Sequence, residues 1–172
     1  MPTKTTRQQK KIKRMIDLQL QFASQSTSLP DSKRMEDWIR QACPDRDDVS
    51  IGIRIVDRDE SAELNDQYRH KPGATNVLSF PFESPHLPDD AYEDDESLED
   101  FLGDLVICAP VVEAEAVEQA KSLEAHWAHM VVHGVLHLQG YDHIEQTEAE
   151  QMEALERTIL ANLGFPDPYL ET

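Results

Sequence analysis

Residues 133–143 read H-G-V-L-H-L-Q-G-Y-D-H. We expect the rest of the chain to fold around this segment. His133 and His137 are four residues apart, so on a helix their imidazoles leave the same face about one turn from each other. Gly140 follows where a helix often ends in a left-handed residue, a conformation that costs glycine little. The chain can then turn back and bring His143 to the open side of the pair. The spacing predicts three histidine ligands with a fourth position left for water, as in a catalytic zinc site.

The alternative is that these are ordinary histidines on a buried helix. Three of them in eleven residues, at helical spacing and with a glycine before the third, favour a metal site. His126 and His129 precede them on the same helical face. Because His143 already completes a set of three, we expect His126 and His129 to pack in the core or to support the ligands.

The spacing H-x-x-x-H-x-x-G-x-x-H also matches the metzincin proteases, which carry a glutamate beside the first histidine as general base. Here that position is Gly134, so a peptidase is disfavoured. Hydrolysis does not require the glutamate, because zinc bound by three histidines can lower the pKa of its water to about 7.

Four segments carry a resemblance to a known family. They are E-A-H-W-A-H-M-V-V-H-G-V-L-H-L-Q-G-Y-D-H at 124–143, L-N-D-Q-Y-R at 64–69, T-N-V-L-S-F-P at 75–81 and L-G-D-L-V-I at 102–107. They occur in the family's order, and the likeness runs from about Met15 to the C terminus. The chain resembles the bacterial YbeY endoribonucleases, also called ribosomal RNA maturation factors.

This resemblance implies a single-strand-specific, zinc-dependent endoribonuclease that acts in ribosomal RNA maturation, at the 3′ end of the small-subunit RNA, and in ribosome quality control. It implies one zinc ion held by His133, His137 and His143, and catalytic roles for Arg69 and His133. The expected partners are ribosomal RNA and the ribosome or its proteins, with no membrane and no nucleotide cofactor. From composition alone Arg69 would be a solvated arginine at a helix end.

Two alternatives from other classes remain open. One is a non-enzymatic ribosome-assembly factor whose zinc is structural. The other is a metallohydrolase with a different substrate, such as a peptidase, against which Gly134 argues.

Composition and charge predict one domain and restrict its partners. A chain of 172 residues with 39% hydrophobic residues can form a single core, which we assign to residues 15–172. Residues 1–14 hold six of the 16 basic residues and no acidic one, and we expect a disordered tail, an RNA-binding arm or an artefact of start-codon choice. The remaining 10 basic and 34 acidic residues argue against broad adhesion to nucleic acid. RNA binding therefore requires positive charge concentrated at the metal, Arg69 and Lys71.

Hydropathy and cysteine content predict a cytoplasmic protein without disulfides. No apolar run reaches membrane-spanning length, and the N terminus lacks the apolar segment of a secretory signal. Cys43 and Cys108 are too few for a disulfide framework, and we expect two free thiols.

Alternating periodicities predict an α/β fold, with a small mixed four-stranded sheet layered with about five helices and the zinc site on the central helix and the turn after it. The predicted strands are 16–23, 49–56, 75–80 and 102–108, and the predicted helices end near residues 42, 68, 121, 138 and 163. The strand order does not follow from the sequence. Residues 83–100 are very acidic and predict a mobile loop. Asp104, on the fourth strand, is a candidate proton acceptor or an ordinary surface acid.

Overall fold

The computed structural model of the protein describes residues 15–82, 100–142 and 144–170. Three predictions fall outside this range: the basic extension 1–14, the acidic segment 83–99 and the proposed third ligand, His143. The described residues confirm the predicted α/β class with a mixed sheet.

Four strands and five helices make up the described secondary structure. In chain order they are β1 (Ile16–Ala23), α1 (Ser32–Ala42), β2 (Val49–Val56), α2 (Arg58–Arg69), β3 (Val77–Pro81), β4 (Phe101–Cys108), α3 (Ala109–Glu118), α4 (Leu123–Leu138) and α5 (Gln146–Asn162). Within the described ranges, no helix has both the length and the apolar character needed to span a bilayer.

Most elements lie where the periodicity predicts them, and the differences are at their ends. Asp57 is the N-cap position of α2, which begins at Arg58. β3 begins at Val77, two residues after the predicted start. The main reason is that Thr75 is engaged elsewhere: its backbone N–H and carbonyl both bond the Ser61 hydroxyl on α2, so it joins no strand.

The sheet has the strand order β1-β2-β4-β3. β1, β2 and β4 are parallel, whereas β3 runs antiparallel to β4 with Val77 opposite Ile107 and Pro81 opposite Gly103. After β2 the chain crosses through α2 to β3, which forms one edge of the sheet. β4 then lies between β2 and β3. β3 is therefore an edge strand, paired on one side only within the described sheet.

The two faces of the sheet carry different helices. Leu105 and Ile107 of β4 belong to the main core together with residues of α1, α4 and α5. Val106 and Cys108 point the other way, since side chains alternate along a strand, and form a smaller cluster against which Leu64 of α2 packs. Consequently α4, with its histidines, and α2, with Arg69 at its end, lie on opposite faces.

Local capping fixes the limits of α4. The Ser122 hydroxyl accepts a hydrogen bond from the Ala125 backbone N–H at 3.1 Å, which satisfies one of the first N–H groups of the helix. Gly140 has φ +97°, as predicted for the turn after the helix. The Gln139 side chain donates to the Ala42 carbonyl at 2.8 Å and ties this end to α1. The helix is therefore held at both ends.

Both cysteines are free, as predicted, and both are buried. Burial raises the pKa of the Cys43 thiol to about 11, although Arg46 and Arg40 oppose the shift. Burial also raises the pKa of Cys108.

Candidate metal and active site

His133 and His137 on α4 form a close pair. Their Nε2 atoms are 3.1 Å apart, and their ring centroids are 4.6 Å apart. Two imidazole nitrogens bound tetrahedrally to one metal at about 2.0–2.1 Å are separated by about 3.3 Å. The pair therefore has nearly the spacing of two ligands of a single ion. The His133 side chain is 24% exposed, so solvent reaches this side of the helix.

Glu156 on α5 lies behind His133 and is fully buried. One carboxylate oxygen accepts a hydrogen bond from His133 Nδ1, and the other accepts one from the Tyr169 hydroxyl. The second oxygen also lies 3.5 Å from His129 Nε2. A proton on His133 Nδ1 leaves the lone pair on Nε2, the nitrogen that faces His137. The carboxylate thus selects the tautomer of His133 whose Nε2 is able to bind a metal.

The charge of Glu156 is maintained by its neighbours. Burial alone would raise the pKa of Glu156, but hydrogen bonds from His129, His133 and Tyr169 lower it to about 2. The pKa of Tyr169 is raised by burial and then by its hydrogen bond to Glu156. The phenol therefore stays protonated and donates to a carboxylate anion, which makes the burial of that anion tolerable.

A second grouping is adjacent to the first. One ligand atom each from His129, His133 and Glu156 lie within 4.8 Å of one another, so these three residues can hold a metal ion. His129 and Glu156 are buried. His133 thus belongs to two candidate metal sites, a buried one with His129 and Glu156 and a more exposed one with His137.

His126 continues the row of histidines into the core. Its Nε2 lies 3.4 Å from a Glu115 oxygen, and burial lowers its pKa even though Glu115 acts in the opposite direction. Within residues 15–82, 100–142 and 144–170, the buried Nδ1 atoms of His126 and His129 have no hydrogen-bond partner. Both histidines pack in the core, but only the Nε2 atom of each ring has a polar neighbour among the described residues.

Gly134 is required by packing. A Cβ placed there would lie 2.8 and 2.9 Å from the two terminal carbons of Leu105 on β4, which is itself fully buried. A side chain at residue 134 would therefore require Leu105 or α4 to shift. The general-base glutamate of the metzincins therefore has no room beside His133.

Arg69 is the last residue of α2 and is exposed. The chain after it folds back along the helix, because Asn65 Nδ2 donates to the Gly73 carbonyl at 2.9 Å and His70 adopts a left-handed conformation, φ +54°. Across the described part of the chain, Arg69 forms no hydrogen bond or ion pair, and nothing joins it to the histidines. The end of α2 that carries Arg69 lies on the face of the sheet opposite α4.

Asp104 also lies on the α2 face, so it does not line the histidine site. A Cβ at residue 52 would overlap Asp104 Oδ1, and Gly52 therefore makes room for the carboxylate. Burial raises the pKa of Asp104. Together with Arg54 and Tyr68 it borders an open cavity of about 370 Å³.

Sequence reasoning missed Glu156 and Tyr169. The available signal was the spacing of Glu156 with Met152 and Ile159, which places all three on the side of α5 that faces the protein core. An acid on that apolar face needs a buried partner. Only the tertiary structure identifies the partner as His133.

Comparisons with known proteins identify the family of this chain. The sequence model of the family described as Endoribonuclease YbeY matches residues 5–164. The chain belongs to this family. A relative from Pseudomonas savastanoi pv. phaseolicola, named Endoribonuclease YbeY, is 55% identical and is covered over 90% of its length, matching 91% of this chain. A YbeY relative of the same name from Methylococcus capsulatus is 58% identical over 91% of this chain and 97% of its own.

A solved structure agrees with the fold of this YbeY family member. The solution structure of TM1509 from Thermotoga maritima superposes with a TM-score of 0.51 at 25% sequence identity. The match covers 87% of this chain and 92% of the Thermotoga protein.

Proposed function

We propose that the protein is a zinc-dependent endoribonuclease that cleaves single-stranded RNA during maturation of the 3′ end of small-subunit ribosomal RNA and in ribosome quality control. The observation that carries the proposal is the 3.1 Å approach of His133 Nε2 and His137 Nε2, with Glu156 holding the opposite nitrogen of His133. Membership of the YbeY endoribonuclease family supports the choice of RNA as substrate.

The proposed ligands are His133, His137 and His143, the last retained from the sequence spacing. The alternative set includes Glu156 and His129, but both oxygens of Glu156 already accept hydrogen bonds. Glu156 is also fully buried, so a metal there would have no position open to a polymeric substrate. The exposed side of His133 meets this requirement.

Imidazole nitrogens favour zinc over the harder ions that prefer oxygen ligands. A zinc ion in this site supplies a Lewis acid and a water of lowered pKa, which is the chemistry that phosphodiester cleavage without a glutamate base requires.

The residues of the chain position the substrate and the site. Glu156 fixes the tautomer and the ring orientation of His133. Arg69 presents five N–H donors in a fork that matches a phosphate group, and it has no partner among the described residues to displace. The charge that it offers to RNA compensates locally for an acidic protein of net charge −18. The acidic remainder then confines RNA binding to this part of the surface.

The nucleophile is either water or the ribose 2′-hydroxyl, and the product ends distinguish them. Cleavage that leaves 2′,3′-cyclic phosphate identifies the 2′-hydroxyl, whereas 5′-phosphate ends identify water. In either case the proposed partners are ribosomal RNA and the ribosome or its proteins, in the cytoplasm.

The decisive experiment measures cleavage of a labelled single-stranded RNA by the purified protein and by His133→Ala prepared in parallel. We expect the wild type to contain about one zinc ion per chain and to cleave the RNA. We expect His133→Ala to lose both the zinc and the cleavage. Equal cleavage by both preparations would identify a contaminating nuclease and remove the proposal. The substrate is then narrowed with precursor small-subunit RNA and a double-stranded control.

A second candidate is a ribosome-assembly factor with a structural metal, which the buried grouping of His129, His133 and Glu156 favours. In that case His133→Ala would lose ribosome binding together with its metal, and no cleavage would be found in any preparation. A peptidase is disfavoured because Leu105 leaves no space for a glutamate at residue 134.

A further inference from the structure

We propose that Tyr169 is a positioning residue for the metal site, acting through Glu156 on His133. The segment 165–170 after α5 would thereby set the affinity of the site for its metal. This inference rests on the proposed function, because it assumes that His133 is a metal ligand.

Glu156 depends on Tyr169 because the carboxylate has few donors. Its first oxygen is occupied by His133 Nδ1, and its second receives the Tyr169 hydroxyl. His129 Nε2 lies 3.5 Å from the second oxygen, which is at the limit of a hydrogen bond. With Glu156 fully buried, solvent does not replace a lost donor. The Tyr169 hydroxyl is therefore the main restraint on the side of the carboxylate that faces away from His133.

The segment that carries Tyr169 is held in place by contacts with two other parts of the chain. Lys121 Nζ donates to the Pro168 carbonyl at 2.7 Å and ties the segment to the turn before α4. The Arg157 guanidinium lies 5.2 Å from the centre of the Tyr169 ring, and its Nε lies 3.2 Å from an Asp167 oxygen. A residue with only a packing role would need no hydroxyl aimed at a buried carboxylate.

Removal of the hydroxyl has a defined consequence. Tyr169→Phe keeps the ring and its contact with Arg157 but leaves one Glu156 oxygen with the distant His129 only. The carboxylate then has freedom to rotate, and the His133 ring loses the restraint that directs Nε2 toward His137. Loss of a hydrogen-bond partner behind a metal-binding histidine typically weakens metal binding by about 10- to 100-fold. We expect the lower part of this range, because Tyr169 acts through an intermediate residue.

The experiment measures the zinc dissociation constant by competition with a chelating dye for the wild type, Tyr169→Phe and Tyr68→Phe. Tyr68 is the matched control, since it is 56% exposed and its hydroxyl has no partner among the described residues. We expect about 10-fold weaker binding for Tyr169→Phe and no change for Tyr68→Phe. The visible spectrum of the cobalt-substituted proteins should change only for Tyr169→Phe. Unaltered affinity and spectrum in Tyr169→Phe, or equal losses in both variants, would overturn the inference.

A double-mutant cycle separates positioning from general destabilisation. If Tyr169 acts through Glu156, the loss of affinity in Tyr169→Phe is much smaller when Glu156→Gln is already present. If the losses of zinc affinity in Tyr169→Phe and Glu156→Gln simply add, the inference is overturned. It is also overturned if the zinc affinity of each variant falls only in proportion to its metal-free unfolding temperature. If the wild type binds no zinc, the proposed metal function fails together with this inference. If the wild type binds zinc and Tyr169→Phe binds it equally well, only this inference fails.

Discussion

His133 and His137 direct their Nε2 atoms at each other across 3.1 Å, from adjacent turns of α4. Replacing one nitrogen of such a pair leaves a metal with too few ligands, so we expect His137→Ala to retain less than a tenth of the zinc of the wild type and to lose RNA cleavage. The exposed His70, changed to Asn to suit its left-handed backbone, should retain its zinc. Metal analysis after dialysis provides the measurement. Full zinc content in His137→Ala would instead indicate the set of His129, His133 and Glu156.

The part of the site that the sequence predicts is the part whose geometry is local. His133 and His137 are related by one turn of a single helix, so their spacing in the chain fixes their spacing in space. Glu156 approaches from α5 and Tyr169 from the segment beyond it, and their meeting with His133 depends on how two helices pack. No periodicity within either segment contains that information.

Gly134→Ala should destabilise the protein even though alanine is the better helix former. The added Cβ would lie 2.8 Å from a terminal carbon of Leu105, and overpacking of a core costs about 1–3 kcal/mol. The gain in helix propensity is about 1 kcal/mol. We expect a net loss of about 1 kcal/mol in the free energy of unfolding, measured by urea denaturation of the metal-free protein.

Leu105→Val provides the control for that prediction. Valine lacks the two terminal carbons in the contact, so Gly134→Ala should cost less in a Leu105→Val background than in the wild type. An equal cost in both backgrounds would mean that Leu105 is not the obstacle.

Neither cysteine should react in the folded protein. Cys43 and Cys108 are both fully buried, and the pKa of each thiol is raised by burial, that of Cys43 to about 11. Since the thiolate is the reactive form, a disulfide reagent at pH 8 should label neither thiol in the native protein and both after denaturation. Rapid labelling of one thiol in the native state would contradict the described core.

The shift at Cys43 also predicts a dependence of stability on pH. Because the pKa is raised in the folded state, the unfolded chain releases the proton first, and stability is lost as the pH rises from about 9 toward 11. A single group contributes at most about 1.4 kcal/mol per pH unit. Cys43→Ala should reduce the slope of unfolding free energy against pH in this interval, and an unchanged slope would argue against the shift.

The sheet illustrates what composition and periodicity do not determine. The alternation in β1 and β2 predicts both strands, and both are found within a residue of the expected ends. The order β1-β2-β4-β3 depends on long-range pairing, which alternation does not encode. That order places α2 and α4 on opposite faces of the sheet, which the spacing of residues in the sequence did not indicate.

Arg69→Ala should lower RNA cleavage while leaving the fold intact. Arg69 is exposed and without a partner in the described residues, so its loss removes only a favourable cation at the end of α2, worth at most about 1 kcal/mol. A charge-assisted bond to phosphate is worth about 1.5–3 kcal/mol, which corresponds to roughly a 10- to 100-fold fall in kcat/KM. Arg58→Ala is the matched control, because Arg58 is an exposed arginine at the other end of the same helix. Arg69→Lys should recover only part of the activity, since lysine restores the charge without the fork. Equal cleavage rates for Arg69→Ala and Arg58→Ala would show that RNA does not reach this end of α2 and that the histidine site acts without it.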